Sequence, residues 1–98
     1  MKVENVKVKK IKDTEIIKDT DFQKRSFVVT KDPDGEYPTD INFELHNAKV
    51  SLADEFAVGD IVTVNFSISA RYYEPKDEYF NTVKAWNVEV IEKAVEPF

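Results

Sequence analysis

A small all-β barrel of five strands, with one short helix between the third and fourth, is the fold class this sequence predicts. Three observations carry the prediction. Apolar residues recur with period two through most of the 98 residues. Turn signals at Lys18-Asp19-Thr20-Asp21, Lys31-Asp32-Pro33-Asp34-Gly35 and Gly59-Asp60 cut the chain into strand-length pieces. Only Lys49–Phe56 carries helical spacing.

The elements follow in order. Val6, Val8 and Ile11 mark a first strand whose phase slips at Lys9-Lys10, as a β-bulge produces. The pattern resumes weakly from Thr14 to Ile17. Arg25, Phe27 and Val29 alternate on a second strand, which places Phe22, Lys24, Ser26 and Val28 on its outer face. In the Pro33 turn, proline presets one dihedral and Gly35 supplies a left-handed one. A third strand follows, with Thr39, Ile41, Phe43 and Leu45 on one face and Asp40, Asn42, Glu44 and His46 on the other.

In the helical segment Val50 and Ala53 lie three apart and Leu52 and Phe56 four apart, with Asn47 as the expected N-cap and Gly59 ending the connection. The fourth strand is expected to bury Val62, Val64, Phe66, Ile68 and Ala70, with Tyr72 continuing inward. The fifth buries Val83 and Ala85. For Val88 and Val90 also to face inward, a bulge is required near Trp86-Asn87.

Three strands, one helix and two strands is the order of the OB-fold, a five-stranded, partly open Greek-key barrel that binds across strands two and three, flanked by loops one–two and four–five. An SH3-like barrel also has five short strands, but normally lacks a helix between the third and fourth. The expected boundaries are residues 1–92 for the barrel and 93–98 for a short tail ending in Pro-Phe.

Composition excludes several functions. The chain has no cysteine, so disulfides and thiolate metal sites are absent, and one histidine makes a zinc site implausible. No catalytic Ser-His-Asp set or glycine-rich phosphate loop is visible, so the expectation is a non-enzyme without cofactor or metal. No apolar run approaches ~18 residues, so no membrane span is expected. With no apolar leader after Met1, the expected location is the cytoplasm of a bacterial cell, or of an infected host. The net charge of −5 at face value opposes nucleic acid, but residues 1–25 hold eight basic against five acidic side chains. A basic strip of this kind, with Lys7, Lys9, Lys10 and Lys12, can take phosphates without specificity.

The hairpin from Gly59 to Ile91 is the richest in candidate contacts. Arg71, Tyr72, Tyr73, Tyr79 and Phe80 gather around the acidic loop Glu74–Glu78. Flat rings and cations on one surface are what unpaired bases and phosphates need. Alternation separates Tyr72 from Tyr73, so Arg71 and Tyr73 point outward, while Tyr72 and Phe80 are read either as platforms or as residues closing the barrel end. Trp86 shares the outward phase with Thr82 and Lys84 if the strand is regular, and becomes core if the bulge comes one residue earlier. Phe22 and Lys24 are outward candidates, Arg25 can snorkel out at a strand end, and Tyr37 beside Pro38 either stacks on a base or packs its turn.

Phe22–Val29, Tyr37-Pro38, Asn42–Leu45, Gly59-Asp60 and Val83-Lys84-Ala85-Trp86, in that order, resemble a family of short OB-fold proteins of Bacteroidetes-type bacteria and their phages. The resemblance spans roughly residues 3–92, and the family is itself similar to bacterial single-stranded DNA-binding proteins. It implies base stacking on sheet and hairpin aromatics, with His46 standing where that family carries an aromatic. The terminus also resembles the tip by which such proteins dock replication and repair partners. Glu96, Pro97 and Phe98 end the chain in the same way, although only two acidic residues precede the ring and Lys93 interrupts them.

The expected function is sequence-independent binding of single-stranded DNA in replication or recombination, by a dimer or tetramer. The alternatives are an RNA-binding OB module and a protein-interaction module acting through its acidic surface and Pro-Phe tip.

Overall fold

The computed structural model describes residues 1–18 and 20–94. Among the described residues six strands form: β1 (Lys2–Ile11), β2 (Glu15–Ile16), β3 (Gln23–Lys31), β4 (Thr39–His46), β5 (Ile61–Tyr73) and β6 (Glu78–Glu92). Their order is β1-β5-β6-β4-β3-β2, and β1 also pairs with β3, so the sheet closes on itself. The protein is mostly β, with a closed sheet matching the OB-fold. β2 is a two-residue ribbon on β3, paired Glu15↔Lys24 and Ile16↔Gln23.

The core is what the alternation dictates. Val6, Val8, Phe27, Val29, Phe43, Leu45, Val62, Val64, Ala85 and Val88 are buried, with Ala53 and Phe56 plugging them from the helical connection. Phe27 stacks on Phe43 at 5.4 Å and meets Phe56 edge-on at 5.0 Å. The expected slip in β1 is a register shift between Val8 and Lys10. The bulge in β6 is also present: Asn65 pairs with Asn87 and Phe66 with Ala85, leaving Trp86 as the extra residue. A further irregularity lies between Val3 and Val6, where Asn5 has φ 55°. Asparagine tolerates that left-handed conformation better than most residues.

The expected short helix is present as a 3₁₀ helix, Asn47–Asp54. Two expectations are corrected. Asn47 is not the helix cap: the cap position is His46, with no side-chain hydrogen bond, and Asn47 Oδ1 instead accepts the Gln23 N–H at 3.1 Å. Ile68 is 53% exposed, and Ala70 and Tyr72 are exposed as well, whereas Tyr73 is exposed as expected. β5 keeps the expected phase and buries Val62 and Val64 as expected, with Phe66 packed on the core, but burial ends there. β5 and β6 pair continuously from Ile61↔Glu92 to Tyr73↔Glu78, so the hairpin runs past the end of the barrel as a two-stranded arm. The molecule is accordingly long, 51 × 32 × 21 Å.

A buried carboxylate holds the other end. Gly59 takes φ 98°, its N–H donates to the Val8 carbonyl at 2.8 Å, and the Val8 N–H donates to the Asp60 carbonyl at 2.9 Å. Asp60 Oδ1 accepts the Ala94 N–H at 2.8 Å and Oδ2 the Ala57 N–H at 2.9 Å. The Ala94 hydrogen bond, with help from that of Ala57, holds the Asp60 carboxyl below its usual range against the opposing effect of burial. Among the described residues no helix is long and apolar enough to cross a membrane.

Candidate functional site

Side chains directly opposite on paired strands share a face, and alternate residues along a strand share it too. β3 and β4 pair Lys24↔His46, Ser26↔Glu44 and Val28↔Asn42 on the face away from the core. β4 meets β6 in parallel at Glu44↔Lys84. β6 then pairs with β5 through Ser67↔Lys84, Ser69↔Thr82, Arg71↔Phe80 and Tyr73↔Glu78. These pairs lie on one continuous surface. It starts on the barrel at Lys24 and His46, passes Glu44 and Lys84, and runs out along the arm to Arg71, Phe80 and Tyr73.

At the barrel end, Phe22 enters β3 in phase with Lys24, and its ring meets the His46 imidazole edge-on at 4.9 Å. His46 Nε2 lies 3.2 Å from Glu44 Oε1. A carboxylate only accepts, so that contact needs the proton on Nε2. Lys24 Nζ stands 3.9 Å from the same oxygen, and the Glu44 side chain is 22% exposed. Among the described residues Lys84 and Arg71 enter no ion pair.

On the arm, Arg71, Tyr73, Phe80 and Thr82 line an open groove. The Tyr73 and Phe80 rings face each other edge-on at 6.3 Å. Tyr79 lies on the opposite face, paired with Tyr72 at 4.9 Å between centroids. The Tyr72 hydroxyl donates to Asp77 Oδ1 at 2.8 Å, which raises the phenol's pKa by stabilising its neutral form. Asp77 itself, at φ 49°, forms the left-handed residue of the hairpin tip. Trp86, the bulged residue of β6, is 49% exposed and lies outside the core cluster.

The structure sets three predicted residues apart from this surface: Tyr79, on the opposite face of the arm, Arg25 and Tyr37. Arg25 is turned to the inner phase, where its Nε donates to the Lys12 carbonyl at 2.8 Å and its Nη1 to Asp54 Oδ1 at 3.0 Å. It ties the segment that follows β1 to the 3₁₀ helix. Tyr37 is exposed on the β3–β4 loop, over a separate hollow formed by Asp32 to Glu36. Of the basic strip, Lys9 is engaged by Asp40 at 2.7 Å; that contact, together with the Thr30 hydroxyl, lowers the Asp40 pKa. The tip residues Glu96, Pro97 and Phe98 lie outside the described residues. No group of three or more metal-ligating side chains occurs among the described residues.

Phe80, left open in the sequence between a platform and a residue closing the barrel end, stands on the surface, as does Glu44, which the sequence did not single out. The signal for Phe80 was available, because it alternates in phase with Thr82 and Lys84. Glu44 had none, since a carboxylate is unremarkable in a chain with nineteen of them.

The fold has solved counterparts. The mitochondrial single-stranded DNA-binding protein Rim1 of S. cerevisiae superposes with a TM-score of 0.71 at 10% identity, covering 96% of this chain and 98% of that one. A second crystal form of Rim1 gives a TM-score of 0.65 at 9% identity, with 96% and 95% covered. At such identities the likeness establishes the fold. No curated protein matches the chain. Residues 5–89, nearly the whole barrel and its arm, match the family described as "Domain of unknown function (DUF3127)", and the chain belongs to that family.

Proposed function

We propose that the protein binds single-stranded DNA, largely without regard to sequence, through the surface that joins β3, β4 and β6 to the arm. The observation that carries this reading is the alternation of rings and cations along one face, half-buried at Phe22, Lys24 and His46 on the barrel and exposed at Lys84, Arg71, Phe80 and Tyr73 towards and along the arm. Rings stack bases of any kind at about 1–3 kcal/mol each, and cations hold the phosphates between them. Trp86, half exposed beside Lys84 in sequence, adds a ring at the junction. The OB-fold supports the reading because its strands two and three, here β3 and β4, form the face on which such folds bind oligonucleotides. The Rim1 likeness adds the same association at the level of fold.

On this reading the protein coats single strands during replication or recombination in the cytoplasm of a bacterium or an infected cell. It works as a dimer or tetramer, with residues 1–92 as the binding domain. Residues 93–98 form a tail whose Glu96, Pro97 and Phe98 dock replication or repair partners.

The test is fluorescence anisotropy of a labelled 30-nucleotide dT strand at low and moderate salt, with duplex DNA and matched RNA as competitors. Submicromolar binding that weakens with salt and resists the duplex is the expected result. Absence of binding at low salt overturns the reading. Stronger competition by RNA than by single-stranded DNA redirects it to RNA.

A further inference from the structure

On the barrel portion of the proposed surface, Glu44 has the wrong charge for a phosphate. Glu44 lies where three strands meet, opposite Ser26 on β3 and Lys84 on β6, at the middle of the barrel portion of the face. Its side chain is largely covered, and its orientation is fixed by Lys24 and His46, both of which approach Oε1. Among the described residues nothing donates to Oε2. A carboxylate repels phosphate, so a strand crossing here carries its backbone around Glu44 and turns a base toward it.

An ionised carboxylate accepts hydrogen bonds and donates none. The base it favours is one that offers N–H groups. Guanine offers two side by side, N1–H and the N2 amine, with the O6 acceptor next to them. The Lys24 ammonium beside Glu44 is the complementary donor for that oxygen. Thymine offers a single N–H between two carbonyl oxygens, both of which face the carboxylate unfavourably. The Phe22 ring, held edge-on against His46, borders the same position and supplies apolar contact for the base.

We infer that Glu44, positioned by Lys24 and His46, is a specificity-determining residue that selects guanine over thymine at one base position of the bound strand. This inference rests on the single-strand binding reading and adds a local preference to an otherwise sequence-tolerant surface.

The experiment compares two labelled 20-nucleotide strands, one of dT alone and one with dG at every fourth position, a spacing that avoids runs of guanine. The full chain should bind the guanine strand about tenfold more tightly, the discrimination expected of a good bidentate contact. Replacing each guanine by hypoxanthine, which lacks the N2 amine, should remove most of that preference with the native protein. Glu44→Gln should reduce the ratio to about twofold or less, each protein's affinity for the guanine strand being read against its own affinity for dT.

Equal affinity of the native protein for both dT and guanine strands overturns the inference and leaves the binding reading standing. An unchanged ratio in Glu44→Gln, or in the hypoxanthine strand, also overturns it, since Glu44 then only holds the Lys24 and His46 side chains. Failure of the native protein to bind either strand overturns both readings.

Discussion

The Asp60 carboxylate and the Ala94 amide, 34 residues apart in sequence, meet at 2.8 Å and fasten the end of β6 to the loop that starts β5. The second Asp60 oxygen holds Ala57, so one buried side chain satisfies two backbone donors. Asp60→Ala leaves both donors unpaired and should cost roughly 1–3 kcal/mol for each that stays dry. Urea unfolding at neutral pH measures this as a lower midpoint with an unchanged slope.

The same carboxylate should make stability depend on acid. Its native pKa is depressed, chiefly by the Ala94 hydrogen bond, so the unfolded chain binds the proton more readily than the native one. The contribution is complete above the unfolded value of about 3.9 and disappears as pH falls through the lower native value. The stability difference between the native protein and Asp60→Asn should therefore shrink on acidification below about pH 4. A difference that stays constant from neutral pH into that range would show that Asp60 does not titrate differently in the two states.

Gly59→Ala should be costly although the change is small. The residue sits at φ 98°, and an added Cβ would stand 3.0 Å from the Ala94 Cβ. A non-glycine residue in such a conformation costs on the order of 1–3 kcal/mol, before the contact itself is relieved. Thermal unfolding should show a clearly lower Tm, and a neutral result would mean that the loop relaxes freely.

Trp86 provides both a probe and a test. It is the only tryptophan, so its emission reports on its surroundings without labelling. Because its ring is half exposed, stacking on a base should quench it, and Trp86→Ala should weaken binding by about tenfold, equivalent to one lost stacking contact. Stability should change little, since the ring is outside the core. Binding with neither quenching nor sensitivity to the substitution would remove Trp86 from the site.

The two faces of the arm should behave differently. Tyr73→Ala and Phe80→Ala, which strip the groove beside Arg71, should each cost about 1–3 kcal/mol of binding. Tyr79→Ala, on the opposite face, should cost much less. Lys84→Ala should lower the salt slope of log K by about 0.7, the amount for one phosphate of a single strand. Titrations at four salt concentrations distinguish this loss of charge from a loss of stacking.

Much of this architecture was legible in the sequence. Period-two alternation identified the five barrel strands and both faces of β3 and β4. Breaks in that alternation located the β1 slip near Lys9 and the β6 bulge at Trp86, because a phase error is visible within a few residues. Where the barrel stops was not legible. Ile68 and Ala70 keep the inward phase after the sheet has left the core, and alternation records phase without recording what lies opposite. Asn47 looked like a cap because its type suits that position, yet its oxygen goes to Gln23, a contact across 24 residues that local reasoning does not reach. The Arg25 tie to Asp54 was hidden for the same reason, since it spans 29 residues. The surface that joins Lys24 to Tyr73 depends on the parallel meeting of Glu44 with Lys84, and no local pattern announces a parallel pair.

That meeting also has a mechanical consequence. Every other junction of the barrel is a ladder of several rungs, whereas β4 and β6 are matched in register at Glu44 and Lys84. The cylinder is thus a tube with a slit, and the slit runs beneath the face assigned to the ligand. A strand lying across it would act as a suture, joining the two lips from outside. Amides flanking the slit should exchange with solvent early in the free protein and slow most when the strand is bound. The bound polymer would then supply part of the closure that the chain leaves to a single rung.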